Sequence, residues 1–139
     1  MIIDASIAVK WFINEKYSDR ALKLLEFFKD GKIELHAPEI LKVEVANALR
    51  KYFARGFVKE SHVEESLNIL SNIDITYHEI SWNLLKKSLN YSILNPITVY
   101  DALYILLSKD LNLRFITADE KLFKALKEKE NIILLKNWP

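Results

Sequence analysis

The stretch Met1-Ile2-Ile3-Asp4-Ala5-Ser6 decides the fold class, because a short apolar strand ends in an acid and helical spacing follows at once. Short apolar or alternating segments between predicted helices give four further strands, at residues 33–37, 73–77, 114–117 and 132–135. Strands separated by one or two helices imply right-handed crossovers and a mostly parallel sheet that helices cover on both faces. The sequence therefore predicts an α/β fold with three α/β/α layers and five strands.

Helices are predicted wherever apolar residues return at intervals of three and four. Ser6 is the expected N-cap of a brief first helix, and Pro38 is expected in the first turn of a long helix that Gly56 ends. The other helices are predicted at about residues 18–29, 59–71, 82–91, 98–109 and 120–129. No linker or internal repeat interrupts this pattern, which predicts one domain over residues 1–139.

Composition excludes several classes of protein. Of the 139 residues, 50% are hydrophobic and 28% are charged, and the two glycines and three prolines are too few for an all-β chain of tight turns. The absence of cysteine excludes a disulfide framework, a thiolate metal site and a cysteine nucleophile, and it fits a cytoplasmic protein. No signal peptide or membrane span is expected. The 20 basic and 19 acidic side chains nearly cancel, so any nucleic-acid binding must be local.

Four acids fall where a parallel α/β sheet binds its ligands, beyond the carboxyl ends of the strands. Asp4 directly follows the first strand, and Asp119 follows the fourth strand by two residues. Asp101 lies in the first turn of the helix that leads into the fourth strand, and Glu44 lies in the second turn of the helix after the second strand. These positions predict that all four carboxylates can face one cleft.

Helix capping offers a simpler explanation for three of these acids. Thr98 and Asp101 have the spacing of a capping box, Asp119 has the position of an N-cap, and Asp4 precedes a helix whose dipole favours a negative charge. Glu44 does not fit this explanation, because it lies past the cap and has apolar neighbours. An ionised carboxylate in such surroundings is costly unless another group pairs with it.

A cluster of four carboxylates is unfavourable by itself, because each negative charge raises the pKa values of its neighbours. A hard divalent cation removes this repulsion. Mg²⁺ and Mn²⁺ prefer oxygen ligands, and they commonly complete their coordination with water and substrate phosphates. The pattern therefore predicts a Mg²⁺ or Mn²⁺ site that would hydrolyse a phosphodiester bond.

Each of the four acids lies in a short segment, and these segments are Ile2-Ile3-Asp4-Ala5-Ser6, Glu44-Val45-Ala46-Asn47-Ala48-Leu49, Tyr100-Asp101-Ala102-Leu103-Tyr104 and Thr117-Ala118-Asp119-Glu120-Lys121-Leu122. The four segments resemble the motifs of PIN-domain ribonucleases, and the similarity is greatest to the VapC toxins of prokaryotic toxin–antitoxin pairs. The resemblance implies a five-stranded parallel sheet, Mg²⁺- or Mn²⁺-dependent endonucleolytic cleavage of RNA, and inhibition by a small cognate antitoxin.

The same resemblance assigns site residues position by position. The catalytic and metal-binding acids it implies are Asp4, Glu44, Asp101 and Asp119. Ser6 and Thr117 match the hydroxyl positions beside them, where a hydroxyl suits the orientation of a carboxylate or a water molecule.

Basic side chains for RNA are expected on the helix that carries Glu44. Lys51 and Arg55 return near the same face of that helix about 10 and 16 Å further along, at roughly 1.5 Å per residue. We predict that they contact an RNA backbone. Tyr104 and Trp82 are expected to pack in the core or at a dimer contact. The toxin-like motifs and the 16 aromatic residues (3 Trp, 6 Tyr and 7 Phe) together predict a homodimer.

Other α/β proteins with an acid after the first strand fit less well. A haloacid-dehalogenase-like phosphatase should have a second aspartate two residues after the first, where this chain has Ser6. A receiver domain should have an aspartate after the third strand, where this chain has Tyr77 and His78. The three histidines are expected to be isolated, without the spacing of a zinc site or a catalytic triad. A PIN-like module that binds RNA or protein without catalysis stays open as the alternative.

Overall fold

Five short strands form one parallel sheet in the computed structural model, which describes residues 1–126, 129 and 131–139. All four pairings between neighbouring strands are parallel. The strands are β1 Ile2–Ile3, β2 His36–Pro38, β3 Thr76–His78, β4 Phe115–Thr117 and β5 Ile132–Leu134. Their order across the sheet is β3-β2-β1-β4-β5, which confirms the α/β class and the five-stranded sheet predicted from the sequence.

The central strand β1 is completely buried. Ile2 is in register with His36 of β2 on one side and with Phe115 of β4 on the other. Ile2 and Ile3 are both inaccessible to solvent, as expected for a parallel strand that is covered on both faces. This burial explains why the strand is a continuous apolar run rather than an alternating one.

The described residues form seven α-helices, arranged on the two faces of the sheet. They are α1 Ala5–Ala8, α2 Ser18–Lys29, α3 Leu41–Ala54, α4 Glu60–Ser71, α5 Trp82–Leu94, α6 Val99–Leu111 and α7 Glu120–Ala125. Right-handed crossovers place the helices between β1 and β3 on one face and those between β3 and β5 on the other, which gives three layers. In the described part of the chain, no helix has the length and apolar character needed to cross a bilayer.

α6 lies against the sheet and is covered by α5. It contacts β1, β2 and β4 on one side and packs against α5 on the other. The ring of Tyr104 stacks on the ring of Phe115, with 5.9 Å between the ring centroids. This packing fixes the helix that carries Asp101 relative to the strand that precedes Asp119.

The strand order reverses at β1, with β2 and β3 on one side and β4 and β5 on the other. The chain therefore leaves the carboxyl ends of β1 and β4 toward opposite faces of the sheet. A crevice forms at such a point, and open α/β sheets bind their ligands there. The helices that begin at this crevice are α1 and α7.

The predicted start of the long helix is wrong. Pro38 is the last residue of β2, and α3 begins at Leu41. The missing N–H of proline falls at the end of the strand, where the next N–H, that of Glu39, donates to the carbonyl oxygen of His78. β2 and β3 also begin three residues later than predicted, because the apolar pattern starts before these segments come into register.

The predicted cap of the first helix is also wrong. Ser6 lies inside α1, and Asp4 is the N-cap, because its carboxylate accepts a hydrogen bond from the N–H of Ile7. The last helix, predicted to reach residue 129, ends at Ala125, and residues 127 and 128 lie outside the described part of the chain.

Candidate active site

Asp4 is held at the carboxyl end of β1 by three hydrogen bonds. Ser6 Oγ donates to Asp4 Oδ1 and Thr117 Oγ1 donates to Asp4 Oδ2, each over 2.5 Å, and the N–H of Ile7 donates to Oδ1 over 3.3 Å. Asp4 is only 8% exposed, and this burial raises its pKa to about 7, although the three hydrogen bonds oppose the rise. Asp4 is therefore an oriented carboxylate whose negative charge the protein alone stabilises poorly.

Ser6 and Thr117 connect the ends of β1 and β4. Ser6 Oγ accepts a hydrogen bond from the N–H of Ala118 over 2.9 Å, and Thr117 Oγ1 accepts one from the N–H of Asp119 over 3.1 Å. Because the same two hydroxyls donate to Asp4, each fixes the direction of one carboxylate oxygen. The structure thus brings both predicted hydroxyls against the first of the four acids.

Glu44 reaches the crevice from α3. It lies in the first turn of this helix rather than the second, because the helix begins at Leu41. The hydroxyl of Tyr104 donates to Glu44 Oε1 over 2.5 Å. Burial raises the pKa of Glu44, and the hydrogen bond from Tyr104 opposes this rise. Tyr104 therefore supplies the partner that a carboxylate in apolar surroundings requires.

The hydroxyl of Tyr104 stays protonated and acts as a fixed donor. Burial raises the pKa of Tyr104 far above its usual value, and the negative charge of Glu44 raises it further. The residue is 2% exposed, and its ring stacks on the ring of Phe115. A donor held in this way restricts the rotation of the Glu44 carboxylate.

Asp101 and Asp119 each take part in the start of a helix. Thr98 is the N-cap of α6, and its Oγ1 accepts a hydrogen bond from the N–H of Asp101 over 3.1 Å. Asp119 is the N-cap of α7, and its Oδ1 accepts a hydrogen bond from the N–H of Leu122 over 2.9 Å. Capping therefore explains part of the geometry at both positions. It uses one oxygen of Asp119 and the backbone of Asp101.

Electrostatic repulsion links the four acids, with Asp101 in the middle. The charge of Asp101 raises the pKa values of Asp4 and Glu44, although burial is the larger cause for both. Burial raises the pKa of Asp101 itself, and the charge of Asp119 adds to the rise. No ion pair between described residues involves any of these carboxylates. The crevice therefore concentrates unpaired negative charge.

The donor set fits a hard divalent cation. Its members are carboxylate and hydroxyl oxygens, which Mg²⁺ and Mn²⁺ prefer over nitrogen and sulfur. No three acids or histidines among the described residues converge closely enough to enclose a metal ion by themselves. Mg²⁺ usually binds one or two carboxylates directly and keeps several water molecules, so it does not require a closed cage of protein ligands.

Lys51 and Arg55, predicted to contact RNA, lie on α3 beyond Glu44. Lys51 is exposed in the last turn of α3, and Arg55 is its C-cap residue. The charge of Arg55 lies close enough to Tyr52 to oppose a rise in the pKa of that hydroxyl. Neither Lys51 nor Arg55 forms an ion pair with another described residue, so both charges remain available to a polyanion.

Two contacts add to or differ from the sequence-based expectations. Tyr104 packs in the core as predicted, and its hydroxyl also donates a hydrogen bond to Glu44, 60 positions away in the sequence. Its spacing of three residues from Asp101 places both on one helix face, and this is the signal that identifies it. The prediction of isolated histidines is wrong, because Nδ1 of His36 lies 3.0 Å from Nε2 of His78 across β2 and β3.

A family model for the PIN domain matches residues 1–129. The chain belongs to the PIN domain family. This PIN domain is 27% identical over 127 residues to Ribonuclease VapC3 of Pyrobaculum aerophilum. The aligned region covers 88% of this chain and 91% of that relative. The match confirms the family resemblance drawn from the four sequence motifs.

Two solved structures share the fold of this PIN domain. One is a toxin-antitoxin complex from Klebsiella pneumoniae, with a TM-score of 0.68, 16% identity and 96% of each chain covered. The other is VapC20 of Mycobacterium tuberculosis, a toxin that cleaves the sarcin-ricin loop, with a TM-score of 0.69 and 10% identity. That match covers 89% of this chain and 93% of VapC20.

We expect Asp4→Asn to change how the stability of the metal-free PIN domain depends on pH. Between about pH 4 and pH 7 the folded chain keeps the Asp4 proton that the unfolded chain has lost, so stability falls as pH rises through this window. Asparagine does not titrate and removes this loss. In EDTA, the melting temperature of Asp4→Asn should therefore exceed that of the parent by more at pH 8 than at pH 5. Thermal melts across this pH range measure the difference.

The matched control for this prediction is Asp74→Asn, which alters an exposed aspartate outside the site. Its melting temperature should follow that of the parent at every pH. An Asp4→Asn difference that is the same at pH 5 and pH 8 would show that burial does not perturb this carboxylate.

Proposed function

We propose that this PIN domain is a Mg²⁺- or Mn²⁺-dependent endoribonuclease and the toxin of a toxin–antitoxin pair. The observation that carries the proposal is the gathering of four carboxylates at the crevice beside β1, without an ion-pair partner among the described residues. The names of its relatives support the proposal, since one is a ribonuclease, one belongs to a toxin-antitoxin complex and one is an RNA-loop-cleaving toxin.

Asp4, Glu44, Asp101 and Asp119 would hold the divalent cation. When bound, such a cation polarises phosphoryl oxygens and lowers the pKa of the water it binds. The surrounding groups restrain the carboxylates in advance. Ser6 and Thr117 fix both oxygens of Asp4, and Tyr104 restrains Glu44. The acids therefore need little reorganisation when a substrate phosphate enters the crevice.

The proposed RNA path continues from the acids along α3. Lys51 and Arg55 carry the positive charges at the far end of this helix, where both are exposed. Contacts with phosphates position a nucleic acid without reading its sequence. We therefore assign these two residues to binding of the RNA backbone rather than to selection of a base.

The proposal includes a homodimer that forms through α5. Trp82, Leu89 and Ile93 repeat at intervals of seven and four, so they share one face of the helix. Their exposed fractions are 78%, 48% and 72%. An apolar stripe that remains exposed in this way is typical of a protein interaction surface. A second copy of the chain would cover it.

Replacing an acid by its amide separates metal binding from helix capping. Asp101→Asn and Asp119→Asn keep a side-chain oxygen, and asparagine caps helices as well as aspartate does. We expect their melting temperatures in EDTA to stay close to that of the parent, while cleavage of structured RNA in Mg²⁺ falls by orders of magnitude. Glu44→Gln should behave in the same way. The measurements are cleavage rates in Mg²⁺, Mn²⁺ and EDTA beside thermal melts.

The control for the amide series is Asp110→Asn. Asp110 lies on α6, as Asp101 does, and forms an exposed ion pair with Lys87. This control should cleave at the parental rate. Amide variants that melt well below the parent but cleave normally would make these acids caps only. A parent that binds RNA or protein but never cleaves would favour the alternative, a PIN-like binding module. Full activity in excess EDTA would contradict the metal dependence.

Lys51→Ala and Arg55→Ala should each weaken RNA binding and reduce its salt dependence. Each lost phosphate contact lowers the slope of log affinity against log salt by about 0.7 for a single strand or about 0.9 for a duplex. Both variants should keep the stability of the parent, because the side chains are exposed. Fluorescence titrations at several salt concentrations measure the slopes. Unchanged slopes in both variants would remove the end of α3 from the RNA path.

Light scattering should give a dimer mass for the parent and a monomer mass for Ile93→Glu, because a carboxylate at the centre of an apolar contact is costly to desolvate. Asn68→Glu, at an exposed position of α4 rather than α5, is the control and should stay dimeric. A parent that is monomeric at every accessible concentration would contradict the dimer.

We expect a small antitoxin to be encoded beside this chain, to bind it and to inhibit cleavage. Failure of such a neighbouring protein to bind would contradict the antitoxin relationship.

A further inference from the structure

A groove with a volume of about 310 Å³ adjoins the acidic crevice. It shares Ser6 and Asp119 with the crevice and extends away from the other acids between α1 and α3. This volume lies at the small end of the range for ligand pockets, about 300–1,000 Å³, which suits one nucleotide rather than a duplex. The remaining polar residues of its wall are Lys10, Glu15 and Tyr52.

Lys10 is an unusually buried lysine, with a side chain only 10% exposed. Its Nζ donates a hydrogen bond to Glu15 Oε1 over 2.8 Å. A lysine ammonium has three N–H donors, and Glu15 is the one acceptor it finds among the described residues. Donors without a partner are costly in a poorly hydrated place, so they favour an acceptor from a ligand in the groove.

Glu15 is fixed from two sides, and it therefore positions Lys10. The hydroxyl of Tyr52 donates to Glu15 Oε2, while Lys10 uses the other oxygen. The N–H of Glu15 donates to Ser18 Oγ over 2.9 Å, which fixes the backbone at the start of α2. Burial raises the pKa of Tyr52 to about 12, and the adjacent Glu15 adds to this rise. The hydroxyl of Tyr52 therefore remains a proton donor at neutral pH.

The groove wall contains one cation in a region that is otherwise acidic. The crevice holds the four carboxylates, which suit a cation, and the groove wall holds Lys10 together with its partner Glu15. An RNA strand carries a negative charge on every phosphate. A strand with one phosphate at the acids would therefore meet the unbonded N–H donors of Lys10 as it continues into the groove.

We propose that this groove binds the nucleotide next to the scissile phosphate, that Lys10 contacts a phosphate of this nucleotide, and that Glu15 and Tyr52 position Lys10. The inference rests on the proposed nuclease function, because it places the substrate relative to the acids. It adds a binding subsite and one charged contact that is separate from Lys51 and Arg55 on the outer surface of α3.

The first test measures binding without cleavage. The Asp101→Asn chain is titrated in Mg²⁺ with a fluorescent single-stranded RNA of mixed sequence at several salt concentrations. Adding Lys10→Met should reduce the slope of log affinity against log salt by about 0.7, the value for one phosphate contact on a single strand. Lys23→Met, which removes an exposed lysine of α2, is the matched control and should leave the slope unchanged.

The second test measures cleavage by the otherwise unaltered chain. Lys10→Met should raise KM several-fold with a smaller effect on kcat, and Lys10→Arg should restore part of the loss because it keeps the charge. Tyr52→Phe should raise KM as well, since it frees Glu15 on one side, while the melting temperature stays near that of the parent. This variant keeps the proposal testable if Lys10→Met fails to fold.

The outcomes separate the two proposals. The inference is overturned if a folded Lys10→Met has the salt slope and KM of the parent. If Lys10→Met does not fold, an unchanged KM in Tyr52→Phe overturns it. In either case Lys10 and Glu15 form only a structural ion pair. A parent that cleaves no RNA would overturn the nuclease function instead. The binding slopes would still decide whether Lys10 contacts a phosphate.

Discussion

The hydroxyls of Ser6 and Thr117 both donate to the carboxylate of Asp4, and they tie the end of β1 to the end of β4. After these two strands the chain continues toward opposite faces of the sheet. The hydrogen bonds of the sheet therefore do not hold the two chain segments together beyond the carboxyl ends of β1 and β4. The backbone N–H groups of Ala118 and Asp119 bond to the same hydroxyls. A single small network therefore sets the width of the crevice and the direction of its most buried acid.

Helix capping and the proposed metal binding use different atoms of the same residues. Asp119 caps α7 with one oxygen and has a second that accepts no hydrogen bond from a described residue. Asp4 caps α1 but also receives the two hydroxyls. Capping restricts a side chain to one rotamer, because the hydrogen bond from a backbone N–H of the first turn to its oxygen forms only in that conformation. Placing an acid at a helix start is thus a way to orient it, and the two explanations for these residues support each other.

The sequence predicts the order of the elements and the edge of the sheet at which the acids gather, because both follow from local patterns along the chain. Contacts between distant positions are not visible in those patterns. The hydrogen bond from Tyr104 to Glu44 depends on how α6 and α3 are positioned relative to each other. The contact of His36 with His78 depends on the register of β2 and β3. The predicted position of Pro38 in a helix is wrong for a related reason. The proline ring fits the first turn of a helix and the end of a strand equally well, and only the pairing with β3 decides between them.

A net charge of +1 conceals a concentration of negative charge at the crevice of this PIN domain. The four acids repel one another there, while Lys10 lies in the wall of the adjoining groove beside Glu15. Repulsion among the acids is a cost to the folded chain alone, and a cation together with a phosphate strand would relieve it. Burial of Lys10 beside Glu15 has the same consequence, since an ammonium with one of its three donors bonded is more stable when an anion accepts from the others. In the proposed function, both parts of the site therefore lower the stability of the free chain and gain it back when a polyanion binds, and the hydroxyl and tyrosine contacts hold the acids and Glu15 in place.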